Sequence, residues 1–271
     1  VVGCPAGMQD CEPITSTQMV CEFRDDTGGG IPPMGLNPCG DPFGGGCGGG
    51  GSGDDGYEYP EPPTNTPCEK MKTQNADQRY KNKISELDND SIFIKKKETG
   101  FAAAYGPQIN YEPITNITND KLKMPEGNKY FGYIHSHINK EGVIKIFSPG
   151  DLGTFLTRCV RNAQEKGTMS DAYAMVITSQ GNYILKYSGD GSYNIGPNQL
   201  SNWKTWYNDI FEELSRTDAL TQANVEKAFT QFLEKVSING LQVYKSDKTT
   251  GSPSMLTYNG KDNPVQSTPC P

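Results

Sequence analysis

The chain has 271 residues, among them 31 glycines and 19 prolines, and a formal charge of −7. Such a balance argues against nucleic acid as the main partner, because phosphate binding needs a concentrated basic surface and the one lysine run, Lys95-Lys96-Lys97, is too short to supply it. No apolar run approaches the roughly 20 residues that span a bilayer, and the start at Val1, without a charged and then apolar leader, reads as a chain from which something upstream has been removed.

The glycines concentrate early. Residues 27–55 carry almost no apolar side chains, cannot offset the entropy of ordering their backbone, and read as a flexible linker. We therefore expect a Gly/Pro/Cys-rich N-terminal segment over residues 1–66 and one folded domain over 67–271, a normal domain size with enough aliphatic and aromatic residues to close a core. The eight cysteines are Cys4, Cys11, Cys21, Cys39, Cys47, Cys68, Cys159 and Cys270, with no C-x-x-C pair. That spacing disfavours a cysteine zinc cluster and favours disulfides for the N-terminal set, hence a secreted, periplasmic or cell-surface location. Cys68 and Cys270 flank the expected domain, and we expect them to clamp its ends together.

Within the domain, Tyr80, Ile84 and Leu87 recur at helical steps and predict a first helix over 68–87. Residues 92–105 read as a strand interrupted near Gly100, and 106–128, rich in Asn, Pro, Thr and Gly, as a long loop. Residues 129–138 alternate as a strand, which places His135 and His137 on one face. A short strand is expected over 143–147. Leu152, Phe155, Leu156, Cys159, Val160 and Ala163 then follow helical spacing up to a stop at Lys166-Gly167. Residues 172–178 and 182–187 form a predicted hairpin, 199–215 and 221–236 two helices, and 241–244 and 255–258 two last strands. The mixture gives an α/β (α+β mixed) architecture with no internal repeat.

Both histidines of the chain lie in Gly-Tyr-Ile-His-Ser-His, two residues apart on a strand, a separation that one metal ion can bridge. Downstream, Ser148-Pro149-Gly150-Asp151 has a structural reading of its own: Ser as N-cap, Pro at the first helical position, an acid at the third. An Asp there can serve cap and metal together. Two imidazoles and a carboxylate leave a fourth tetrahedral position open, the pattern of a catalytic zinc.

His135-Ser136-His137 followed by Ser148-Pro149-Gly150-Asp151 resembles the signature of the JAMM (MPN+) zinc metallopeptidases: a distant Glu, then H-x-H, seven residues, and S-x-x-D. Here ten residues separate His137 from Ser148, so three extra enlarge the turn at 139–142. The resemblance covers about residues 92–187 and extends to JAMM-like domains at the ends of bacterial secreted or toxin-associated proteins. It implies a cytidine-deaminase-like central sheet flanked by helices, Zn²⁺ on His135, His137 and Asp151, a Glu as general base, Ser148 as oxyanion donor, and a peptide or isopeptide substrate chosen by an insertion, here the 106–128 loop. Glu98, 37 residues before His135, is the first choice of base and Glu112 the second.

Two alternatives stand beside this reading: a non-catalytic domain that keeps the fold for binding or scaffolding, and a zinc hydrolase acting on something other than peptides. A nucleobase deaminase is disfavoured, since its P-C-x-x-C thiolates are missing. Trp203 and Trp206 read as a packed helix face rather than a binding platform.

Overall fold

The computed structural model describes residues 66–118 and 121–271. The segment assigned to a linker and the five cysteines before Cys68 therefore lie outside the described residues. The elements are α1 (Pro67–Ala76), α2 (Gln78–Leu87), α3 (Asp90–Phe93), β1 (Gly100–Ala104), β2 (Asn110–Pro113), β3 (Thr115–Thr118), β4 (Lys121–Lys123), β5 (Tyr130–Ser136), α4 (Pro149–Thr154), a π-helical segment (Phe155–Val160), α5 (Arg161–Lys166), a 3-10 turn (Met169–Asp171), β6 (Tyr173–Ile177), β7 (Asn182–Tyr187), α6 (Pro197–Arg216), α7 (Gln222–Val236), β8 (Leu241–Ser246), β9 (Pro253–Thr257) and β10 (Gln266–Pro269). Eight strands form one sheet in the order β10-β9-β8-β7-β6-β5-β1-β2, while β3 and β4 pair separately.

The large sheet is antiparallel except between β5 and β6. A parallel pair needs a crossover, and α4, the π segment and α5 provide it. This mixed α+β sheet is covered on both faces. Tyr80 of α2 reaches Met175 Sδ at 3.1 Å and meets Tyr173 edge-on, so α2 lies on the face of Tyr173 and Met175. On the opposite face Tyr133 donates to the Asp151 carbonyl at 2.9 Å, and Phe147 links the ring of His135 to Phe229 of α7. With helices on both sides, every residue of β5, β6 and β7 is buried, which is why these strands read as apolar runs as much as alternations.

Several expected elements are corrected. The helix over 68–87 is two helices, because Asp77 takes an extended conformation and its carboxylate accepts from Arg79 N–H, ending α1 and starting α2. Residues 92–94 are not strand: Asn89 caps α3, and only from Gly100 does β1 begin. A short apolar run cannot by itself distinguish the two states. The 106–128 segment is not a structureless loop; it contains β2 at the sheet edge and the β3–β4 pair, whose ladder bonds come from backbone and need few apolar side chains. Residues 143–147 form no strand, since side chains take their carbonyls instead: His137 Nδ1 pairs with Ile144 O at 2.9 Å and Gln222 Nε2 donates to Lys145 O at 3.0 Å. Strand β10 was not expected; it is polar, exposed, and held to β9 by backbone.

The expected clamp is present. Cys68 and Cys270 form a disulfide with a Cα–Cα distance of 5.5 Å, joining α1 to the end of β10. Such bonds belong to proteins that fold in oxidising compartments. Among the described residues no helix is long and apolar enough to cross a membrane.

Candidate metal centre

Strand β5 sits between β1 and β6 and delivers two imidazoles to the face covered by α4. His135 is 2 % exposed and His137, one residue past the strand, 6 % exposed. The close approach of β1 depends on Gly100, which is paired with His135. A Cβ at that position would lie 2.7 Å from Ile134 O and 3.0 Å from His135 Cβ, so any side chain would push the two strands apart.

Each imidazole has its Nδ1 fixed by a backbone carbonyl: His135 by Met175 O at 3.2 Å, His137 by Ile144 O at 2.9 Å. A neutral ring that donates from Nδ1 carries its lone pair on Nε2, the arrangement that orients a metal-binding histidine. Both Nε2 atoms point at Asp151, at 3.3 Å from His135 to Oδ1 and 3.7 Å from His137 to Oδ2. The 3.3 Å approach does not have hydrogen-bond geometry, and buried His135 Nε2 has no hydrogen-bond partner. A buried nitrogen left this way costs about 1–3 kcal/mol unless something else satisfies it.

Asp151 is held as the sequence suggested. Ser148 N–H donates to its Oδ2 at 2.7 Å, and Asp151 N–H donates to Ser148 Oγ at 3.2 Å, a capping box at the start of α4. One carboxylate oxygen thus belongs chiefly to the cap while the other faces His135. The three ligand atoms lie within 4.8 Å of one another. Ligands at about 2.0–2.1 Å on a tetrahedral zinc sit roughly 3.3 Å apart. The donor set therefore fits a zinc-sized ion with small adjustments.

Charge is shared unevenly. Burial pushes the His135 imidazole down to about 4 against the pull of Asp151, so it stays neutral. Burial also opposes charge on His137, but Asp151 and then Glu98 outweigh it and raise that pKa. Burial alone would raise the Asp151 pKa; the two imidazoles and the Ser148 N–H hold it well below the usual carboxylate range.

Glu98 lies just before β1, is 8 % exposed, and places Oε1 3.9 Å from His137 Nε2. Glu112 is not brought to the site: it is on β2, salt-bridged to Lys129 at 2.6 Å and accepting from Tyr130 OH at 2.5 Å, at the opposite end of β5. Trp203 is buried and Trp206 packs under Lys235, so both serve the helix face as expected.

Three features escaped sequence reasoning. Tyr133 anchors the first turn of α4 through Asp151 O. The carbonyls of Met175 and Ile144 hold the imidazoles. Ser136, whose side chain points to the opposite face, accepts from Thr99 N–H at 3.2 Å and donates to Thr99 O at 3.3 Å. Only the alternation of β5 hinted that Ser136 faces away, and nothing indicated its partner. No family model, curated protein or solved structure matches this chain.

Proposed function

We propose that the chain is a zinc-dependent hydrolase of peptide or isopeptide bonds of the JAMM type, with His135, His137 and Asp151 as the metal ligands. The observation that carries this reading is the buried, unpartnered Nε2 of His135 beside Asp151, on a ring whose Nδ1 is already committed to a carbonyl. A helix cap needs Asp151 but has no use for two buried imidazoles aimed at it.

His135, His137 and Asp151 would hold a zinc ion, which when bound would supply an acidified water and polarise a carbonyl. Glu98, with its Oε1 3.9 Å from His137 Nε2, would be the base that takes a proton and returns it to the leaving nitrogen. Ser148 uses its Oγ to accept from Asp151 N–H and has its own O–H to donate to the oxygen of the attacked carbonyl. Tyr133 and the capping box hold Asp151 in place while this happens. The Cys68–Cys270 disulfide supports a secreted, periplasmic or cell-surface setting.

Zinc measured by plasma mass spectrometry on protein purified without chelator tests the site. We expect about one zinc per chain, lost in His137→Ala and Asp151→Ala. With zinc bound, peptide and isopeptide substrates should be cleaved by the wild type and not by Glu98→Ala. A metal-free wild type that takes up no added zinc overturns the proposal and leaves the non-catalytic reading.

A further inference from the structure

Beside the metal centre lies a cleft of about 450 Å³, within the size range of small-ligand sites. It is bounded by the loop that follows His137, by the β6–β7 turn at Ser179 and Gln180, and by the start of α7 at Leu220 and Gln222. Two contacts tie it to the centre. Ile144 lines the cleft with its side of the chain while its carbonyl holds His137 Nδ1. Lys145, also in the lining, donates its ammonium to the carbonyl of Ile138, the residue after His137.

The lining is unusual for this protein. The chain has 32 acidic against 25 basic residues, yet among the described residues no carboxylate lines the cleft and one ammonium does. Two carboxylates stand near the cleft without lining it, and the charge of one of them, Glu98, reaches Lys145. Glu226 of α7 is bound by Lys245 at 2.7 Å and by Tyr183 OH at 2.6 Å, and Glu98 faces His137. Lys145 is partly buried and spends one hydrogen on Ile138 O; an ammonium has three. Asn139, Ser179 and Gln222 add polar atoms, and Leu220 and Val225 an apolar wall.

We propose that this cleft receives a carboxylate-bearing residue of the substrate, either an acidic side chain or a free C-terminal carboxylate, with the Lys145 ammonium as its counter-ion. The proposal rests on the hydrolase reading for the word substrate, but its test does not need turnover. The charge-assisted bond selects carboxylate over the isosteric amide. The loop contact with His137 means that a residue seated there lies next to the chain segment crossing the metal centre.

The test is peptide binding to ¹⁵N-labelled Glu98→Gln protein as purified, followed by NMR. Three blocked or free tetrapeptides are compared: Ac-Ala-Ala-Glu-Ala-NH₂, its Gln counterpart, and the Gln peptide with a free C-terminus. We expect shifts at the amides of Asn139, Ser179, Gln180 and Gln222 with the Glu peptide, and binding at least ~10-fold weaker for the blocked Gln peptide, as loss of one charge-assisted bond predicts. Lys145→Glu removes the preference and Lys145→Arg keeps it. If the free-terminus peptide binds as well as the Glu peptide, the terminal carboxylate is the natural source; if it binds like the blocked Gln peptide, the side chain is. Equal binding of all three peptides, no binding, shifts elsewhere, or a preference unaffected by Lys145→Glu overturns the proposal. Zinc content measured on the same samples reports separately on the hydrolase reading.

Discussion

Ser136 and Thr99 hold each other twice, Thr99 N–H on Ser136 Oγ at 3.2 Å and Ser136 Oγ–H on Thr99 O at 3.3 Å, with a third bond from Ser136 N–H to the same carbonyl at 2.8 Å. Ser136 stands between the two imidazoles and Thr99 next to Glu98. The latch therefore fixes the carboxylate-bearing turn to the strand that carries the histidines, from the face opposite the site.

Ser136→Ala tests this positioning role. It removes the two side-chain bonds and leaves the backbone bond, at a cost of about 1 kcal/mol in stability. We expect zinc content to stay at the wild-type level while kcat falls about 10–100-fold, the range for residues one step behind a metal site. Loss of zinc in this variant would place Ser136 in the architecture of the histidines instead.

Asp151 has two jobs that substitutions can separate. Asp151→Asn keeps an oxygen for Ser148 N–H but removes the charge; Ser148→Ala removes the cap hydroxyl but leaves the carboxylate. The first should melt near the wild type and bind zinc at least ~10-fold more weakly in competition with a chromogenic chelator, since a neutral amide is a poorer ligand than a carboxylate. The second should lose about 1 kcal/mol of stability and keep its zinc. Wild-type zinc affinity in Asp151→Asn would reduce Asp151 to a cap.

The grouping of His135, His137 and Asp151 was legible because its signals are local. Alternation along β5 places His135 and His137 on one face, and Ser148-Pro149 marks a helix start whatever the tertiary structure. Glu98 was found only through family resemblance, and its immediate context was misjudged: residues 92–94 were expected in the same strand, whereas Asn89 caps a short helix there. The strands of 106–128 and β10 were missed for one reason. Their pairing is backbone to backbone at sheet edges, where side chains are not selected for burial and leave no periodic trace. The 143–147 run failed the other way: apolar and β-prone, it gives its carbonyls to His137 and Gln222, partners 7 and 77 residues distant.

Lys186, on β7, is 1 % exposed and donates to Ser170 O at 2.7 Å. Burial lowers its pKa from 10.5 to about 7, with nearby Asp171 resisting and Lys70 assisting. Between those two values the unfolded chain holds a proton that the folded one has shed, so stability rises with pH across this window. Below about pH 7 the ammonium is buried charged and its full cost is felt. Phenols such as half-buried Tyr105 and buried Tyr183 have raised pKa values and reverse the trend above about pH 10, where unfolded tyrosine ionises. Melting curves from pH 7 to 9.5 should therefore show Tm climbing in the wild type relative to Lys186→Met. The variant should be the more stable at pH 7, with the gap closing as pH rises. A gap independent of pH would show that Lys186 keeps its proton in the fold across this range, so that burial does not lower its pKa.

The Cys68–Cys270 bond closes nearly the whole described chain, at a sequence separation of 202. A loop of that length loses chain entropy worth up to about 5 kcal/mol in the unfolded state, against typical measured gains of 2–4 kcal/mol. The bond also secures two weak elements: α1, whose one buried residue is Met71, and β10, which is exposed throughout and, among the described residues, paired only with β9. We expect Cys68→Ser/Cys270→Ser to lower Tm by about 5–15 °C, given a shift of roughly 2–4 °C per kcal/mol for a domain of this size. Hydrogen exchange should accelerate first in β10 and α1, while β5 and the π segment keep their protection and zinc content is unchanged. Cys159, buried with its thiol pKa pushed up, should resist alkylation in the folded double variant. Loss of zinc together with the bond would mean instead that the clamp reaches the metal centre, through Lys70 of α1, its salt bridge to Asp171 before β6, and the Met175 carbonyl that holds His135.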